Sequence, residues 1–197
     1  DLFVVKYNSS GTWQWTKQHG SGSWDEARGV ATDSSGNVYV VGGTKGDKLN
    51  GVNIGYNMTE IFVIKYNSSG AMAWTKVLGT WRKDFANAVN IDSSGNIYLV
   101  GATERDLEAE CKKHKEECDN FAGKDDLFVV KFDSKGKKQW TKQLGTKRND
   151  RATGVATDSS GNVYVTGYTY WRLDGNTYAG SNDAFVVKYL DNGTKLW

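Results

Sequence analysis

Along the chain, short runs of β-branched and aromatic residues alternate with polar clusters of Ser, Asn, Asp and Gly. LFVVKY (2–7) leads into NSSG, GVAT (29–32) into DSSGN, and NVYV (37–40) follows. Runs of this length bounded by turn residues predict strands joined as hairpins. The order then recurs. From Phe3, Phe62, Phe128 and Phe185 a tryptophan follows 12 residues on, at Trp15, Trp74, Trp140 and Trp197. Fifteen residues later stand Val30, Val89 and Val155, then Tyr39, Tyr98 and Tyr164, then Gly42, Gly101 and Gly167. From those glycines to the next Phe the distances are 20, 27 and 18, so all length variation falls in one connection per repeat.

Four short strands in a unit repeated every 57–66 residues predict an all-β fold, a β-propeller of four-stranded antiparallel blades. A β-helix needs a much shorter period. Small side chains are expected where the innermost strands crowd together. ARGVATD (27–33), with Ala27, Gly29 and Ala31, is therefore strand A, NVYV is B, FVVKY is C and the Trp segment is D. The tryptophan is expected between neighbouring blades, toward the outside. In phase, the chain reads as a half blade (1–19) and three blades (20–79, 80–145, 146–197), about three and a half. Closed propellers take roughly four to eight. Further blades are thus expected, from a longer chain first and from other chains second. A start on DLFVVKY without Met implies a processed or excised segment.

In this geometry the A–B and C–D turns emerge on one side and the B–C and D–A connections on the other. The variable segments 43–61, 102–127 and 168–184 are all B–C loops. Binding residues concentrate on loops carried by a rigid scaffold, so that side is the expected functional face.

DAFVVKYLDNGTKLW, ATGVATDSSGNVYVTGYT and LFVVKFDSKGKKQWTKQLG resemble the SBBP repeats of bacterial and archaeal surface proteins, the seven-bladed β-propeller repeat. The resemblance covers nearly everything but the three variable loops. It implies a secreted or cell-surface propeller and no shared catalytic residues. Part of the repeat is also similar to the tryptophan-docking repeat of quinoprotein dehydrogenases. Those need adjacent cysteines, and Cys111 and Cys118 are not adjacent.

Composition narrows the function. Charge is nearly balanced, 25 basic against 23 acidic residues, and no basic run is interleaved with aromatics, so nucleic acid is not an expected partner. No apolar stretch reaches the roughly 18 residues of a membrane span. Proline is absent and Gly numbers 23, so turns must come from Gly, Asn, Asp and Ser.

Residues 103–121 are the one segment with helical periodicity. Thr103 is the expected cap, and Leu107, Cys111, His114, Cys118 and Phe121 recur at intervals of 4, 3, 4 and 3 on one face. A disulfide between Cys111 and Cys118 suits an exported protein. Seven residues of straight helix rise about 10.5 Å, beyond the usual Cα limit of about 7 Å, so the bond requires a break near residues 113–115. Packed free thiols and a Cys111/His114/Cys118 metal site lacking a fourth ligand are the alternatives; the disulfide is the first expectation, and no metal or cofactor is assigned. The DSSGN stretches lack the acidic density of a calcium loop and read as turns. Sequons at Asn8, Asn57, Asn67 and Asn192 are glycosylation candidates; turn chemistry alone explains Asn8, Asn67 and Asn192.

Aromatics gather on the variable side: Trp24, Tyr56, Trp81, Tyr168, Tyr170, Trp171 and Tyr178 are the candidate partner-binding residues. The two histidines stand in unrelated positions, and Asp125 and Asp126 read as solvated loop charge, so no catalytic residue is assigned. The sequence thus predicts a non-catalytic extracellular or cell-surface scaffold that binds protein, with a carbohydrate-binding propeller as the alternative.

Overall fold

A computed structural model describes residues 1–55, 58–107 and 124–197. Every strand pairing in the main sheets is antiparallel. The first sheet pairs β1 (Leu2–Tyr7) with β2 (Trp13–His19). The second runs β3 (Asp25–Thr32), β4 (Val38–Thr44), then, after a small hairpin of β5 (Lys48–Leu49) and β6 (Val52–Asn53), β7 (Glu60–Tyr66) and β8 (Met72–Leu78). The third runs β9 (Asp84–Ile91), β10 (Ile97–Thr103), β11 (Asp126–Phe132) and β12 (Lys138–Leu144). The last holds β13 (Asp150–Thr157), β14 (Val163–Thr169) and β15 (Asp183–Tyr189), and the chain end pairs back through Lys188 N–H to the Trp197 carbonyl (2.9 Å). The strand order A–B–C–D matches the sequence reading.

The hydrophobic clusters lie between sheets. Tyr39, Val41, Ile61 and Val63 of the second sheet meet Ala86, Ile97, Leu99, Phe128 and Val130 of the third. Their strand neighbours Val38, Val40, Phe62 and Ile64 point the other way, onto Leu2, Val4 and Trp15 of the first. Tyr98, Val100, Leu127 and Val129 likewise pack on Val163, Val165 and Val187 of the last. Successive side chains on a strand face opposite sides, and in the second and third sheets both sides are buried, which is why their B and C strands read as nearly continuous apolar runs. The innermost strands β3, β9 and β13 run close together. A Cβ at Gly29 would meet the Ala88 Cα at 3.1 Å, Arg28 donates to Asn87 Oδ1 (3.0 Å), and Asn87 donates to the Ala152 carbonyl (2.9 Å).

The repeated turns and tryptophans form one device. Trp15 of the first sheet lies on Gly70 in the C–D turn of the second, where an added Cβ would meet its ring at 2.9 Å. Trp74 covers Gly136 and Trp140 covers Gly193 in the same way, with the added Cβ at 3.1 Å from each ring. The indole of Trp140 donates to the Asp191 carbonyl (2.9 Å), and Lys131 pairs with the Asp191 carboxylate. Each tryptophan thus locks onto the turn glycine of the following repeat.

The DSSGN turns are clamped from within. Asp92 Oδ1 accepts from the Ser94 and Asn96 N–H groups (2.9 and 2.8 Å), and Oδ2 accepts from the Asn96 amide and the Tyr98 hydroxyl (2.8 and 3.0 Å). Asp33 and Asp158 repeat the pattern with Tyr39 and Tyr164. Both carboxylate oxygens are used by the chain itself, which fits the turn reading. Asn8 Oδ1 and Asn67 Oδ1 serve their own turns similarly, accepting from the Thr12 and Ala71 N–H groups (2.8 Å each), and Asn192 accepts from Thr194 N–H (2.9 Å).

Two expectations require correction. Thr103 does not cap a helix: it ends β10, donates to the buried Asp84 (2.5 Å) and accepts from Arg105 N–H, so its hydroxyl is already committed, and 104–107 continue as bends. The remainder of the expected helix, with Cys111 and Cys118, lies outside the described residues, as do Tyr56 and Asn57. In the first variable loop, Asn50 (φ 50°) and Gly51 (φ 81°) form the two-residue turn of the β5–β6 hairpin. Asp125 and Asp126 are not solvated. Arg151 Nε donates to Asp125 (2.6 Å), and Asp126, 5 % exposed, is held by Gln143 (3.2 Å).

Candidate functional site

Beneath the variable loops a second aspartate clamp ties strand A to the end of strand B. Asp84 Oδ2 accepts from the Thr80 N–H and hydroxyl (2.5 and 3.0 Å), while Oδ1 takes the Thr103 hydroxyl. Asp25 does this with Ser21 and Thr44, and Asp150 with Thr146 and Thr169. These carboxyls are buried, and burial drives the Asp84 pKa up to about 7 despite its three donors, with the Glu60 charge adding to the rise. Burial likewise pushes Asp126 up to about 6 and raises Asp150. The clamps fix where each D–A and B–C connection leaves the scaffold. Thr103 and Thr169 also accept from the N–H two residues on, which fixes the backbone at Arg105 and Trp171.

Three adjoining cavities open on this side. One of about 520 Å³ sits at the inner-strand end, lined by Arg28, Asn87 and Thr153 from β3, β9 and β13 together with Phe85, Glu104, Asp125 and Arg151. The next, about 400 Å³, shares Glu104, Asp125 and Arg151 and adds Arg82, Arg105, Lys124 and Asn149. A third of about 250 Å³ shares Lys124 and Asn149 and is walled by Tyr170, Trp171 and Tyr178. The surface therefore runs from charged at the inner strands to aromatic at the rim.

The guanidiniums are held in place. Arg82 and Arg105 both lie on the Trp81 ring, 4.4 and 4.9 Å from its centroid, and Arg28 lies 4.5 Å from that of Phe85. Arg28 also pairs with Glu26 (2.9 Å), and Arg151 with Asp125. Burial acts to lower the Arg151 pKa, and the hydrogen bond and charge of Asp125 outweigh it and raise it. Asn149 Oδ1 has no donor among the described residues.

Of the aromatic candidates, Tyr168 and Tyr170 meet edge to face (5.8 Å, 78°), and Trp171 and Tyr178 meet at 5.4 Å and 44°. Tyr170 and Trp171 stay exposed at 39 % and 45 %. Trp81 carries the arginines, so it supports the site from below. Trp24 sets its edge against Phe85 (6.2 Å) and stands apart from the Tyr170–Trp171 group. The cations Arg28, Arg82, Arg105 and Arg151 escape a reading of the sequence because they come from separate connections. Only the adjacency of Arg82 to a loop aromatic, in TWRK (80–83), hinted at one of them.

Residues 14–50 and 139–170 match the SBBP family, described as a beta-propeller repeat. Among curated proteins the chain is similar to an uncharacterized WD repeat-containing protein of Acanthamoeba polyphaga mimivirus, 28 % identical over 222 residues, covering 93 % of this chain and 16 % of that protein. It is also similar to the regulatory protein FlaEY of Caulobacter vibrioides, 26 % identical over 181 residues, covering 87 % of this chain and 19 % of that one. The chain spans less than a fifth of either relative.

Proposed function

We propose, from the premise that this chain carries SBBP β-propeller repeats, that it is a non-catalytic module holding a protein partner against its variable-loop side, and that it works at the cell surface or outside the cell. One observation carries the reading. The three cavities, the loop-side cations and the exposed aromatics gather on the side whose loops vary in length, while the turn carboxylates opposite are occupied by the chain's own donors. A scaffold whose constant parts are used internally leaves the variable side for recognition. The relatives' names, WD repeat-containing and regulatory, fit a protein that acts by binding. The extracellular setting rests on the SBBP resemblance.

The test compares loop-side and turn-side variants in one binding experiment. A photo-crosslinker at position 171, in the source cell, should capture a discrete protein, and the yield should fall with Tyr170→Ala. A crosslinker at Ser9 in the opposite turn should capture none. Equal capture from both sides contradicts the reading. Protease shaving of intact cells checks location: release of repeat peptides supports surface display, and protection contradicts it. Turnover by the purified chain that is lost on changing a defined polar cluster would overturn the non-catalytic assignment.

A further inference from the structure

We propose that the charged cleft at the inner-strand end of the loop side is a carboxylate-binding site, and that the partner enters it as an acidic peptide segment. The proposal rests on the protein-interaction reading and names the chemistry of the partner.

Charge is the first argument. Across the chain basic and acidic residues nearly cancel, 25 against 23. On the walls of the two adjoining inner cavities there are six basic side chains, Arg28, Arg82, Lys83, Arg105, Lys124 and Arg151, and two acidic ones, Glu104 and Asp125. A concave, low-dielectric surface of one sign focuses its field on the opening and draws in the opposite charge. Among the described residues Arg82 and Lys83 have no carboxylate at ion-pair distance.

Order is the second. A guanidinium offers a planar fork that matches a carboxylate, and it loses least when already positioned. Trp81 holds Arg82 and Arg105, Phe85 holds Arg28, and Asp125 holds Arg151. The donors therefore stand before any ligand arrives.

Shape selects the class of anion. Two connected cavities of about 400 and 520 Å³, with guanidiniums spread along both, suit several carboxylates on an extended chain better than one compact phosphate. An acidic polysaccharide would also need flat ring faces for its sugars. The rim aromatics instead pair with one another at 44° and 78°, so the rings of neither pair lie parallel as one flat platform.

The probe is fluorescein-labelled hexaglutamate read by fluorescence anisotropy on the purified chain, with hexaglutamine as the neutral control. Hexaglutamate should bind and hexaglutamine should not, with affinity falling as salt is added. Arg82→Glu with Lys83→Glu should weaken binding by at least about tenfold, the scale of a lost charge-assisted hydrogen bond. Both residues are exposed, so the melting temperature should hold. Equal binding of the two peptides, or an unchanged affinity in the double variant, overturns the proposal. So does displacement by inorganic phosphate or oligogalacturonate at lower concentration than by unlabelled hexaglutamate, which would assign the cleft to a compact anion or an acidic glycan. If the crosslinker at 171 captures a protein while hexaglutamate fails to bind, the interaction reading stands and this one falls.

Discussion

The two ends of the sheets are each stapled by a repeated aspartate, and the two staples behave differently. At the turn end, Asp33, Asp92 and Asp158 stand near solvent and accept from the N–H groups and side chains of their own turns. Donation from Asn162 holds Asp158 below the usual carboxylate range; at Asp33 burial pushes upward, but the donors outweigh it. At the loop end, Asp84 and Asp150 are fully buried, and desolvation wins over a similar number of donors. The same residue thus closes a turn at one end and underpins a loop exit at the other. The turn end is self-contained and repeats without change. The loop end is closed only beneath the loops, and what stands above it differs from one repeat to the next.

The largest expected effect falls on the tryptophan lock. Trp74→Ala should cost about 3 kcal/mol in urea unfolding, near the low end for deleting a large aromatic because the ring is half-buried. A loss below about 1 kcal/mol, the size of an ordinary substitution, would mean that the lock adds little.

A glycine pair sharpens the same point. Gly11 and Gly70 have positive φ, 77° and 82°, but Gly11 has nothing within 4 Å of an added Cβ while Gly70 faces the Trp15 ring. Gly11→Ala should cost only the left-handed backbone strain, about 1–2 kcal/mol. Gly70→Ala should cost more by the amount needed to displace Trp15, and equal losses would remove the lock from the account.

The buried aspartates predict a pH dependence of opposite sign to the usual one. With folded pKa values near 7 for Asp84 and near 6 for Asp126, the folded chain binds more protons than the unfolded one between about pH 4 and those values. Their contribution is full below about pH 4 and is lost as pH rises toward 7. Denaturant midpoints should therefore fall over that window, and Asp84→Asn should flatten the slope. The turn aspartates act in a separate window, since the stability they give is lost only as pH drops below about 4. The smallest effect is expected at the rim. Trp171→Ala should change stability by less than about 0.5 kcal/mol, as exposed substitutions do, while lowering partner binding.

Much of this was legible because repetition kept spacing constant. The interval from Phe to Trp and the DSSGN turns fixed strand order, and small residues at Ala27, Gly29 and Ala31 marked the inner strand. The reading also anticipated Trp between sheets, though not that its seat would be the next turn's glycine. The loop-end clamp was not legible, because Asp84 and Thr103 lie 19 residues apart and neither looks special alone. Thr103 was misread as a cap for the same reason. The β5–β6 turn, by contrast, carried an Asn-Gly signal at 50–51 that was available in the sequence. Asp125 and Asp126 read as solvated because their partners Arg151 and Gln143 come from other strands. The aromatic rim was visible as composition. The cation cleft was not, since its arginines meet only after the sheets assemble.

The eight tryptophans report on both ends at once. The most direct measurement is an indole N–H correlation spectrum recorded while hexaglutamate is added to the full chain. The account predicts that the signals of Trp81 and Trp171 move with saturation, while those of Trp15, Trp74 and Trp140 stay fixed in their locks. Movement of the lock tryptophans with Trp81 and Trp171 unmoved would contradict the division between a constant end that builds and a variable end that binds.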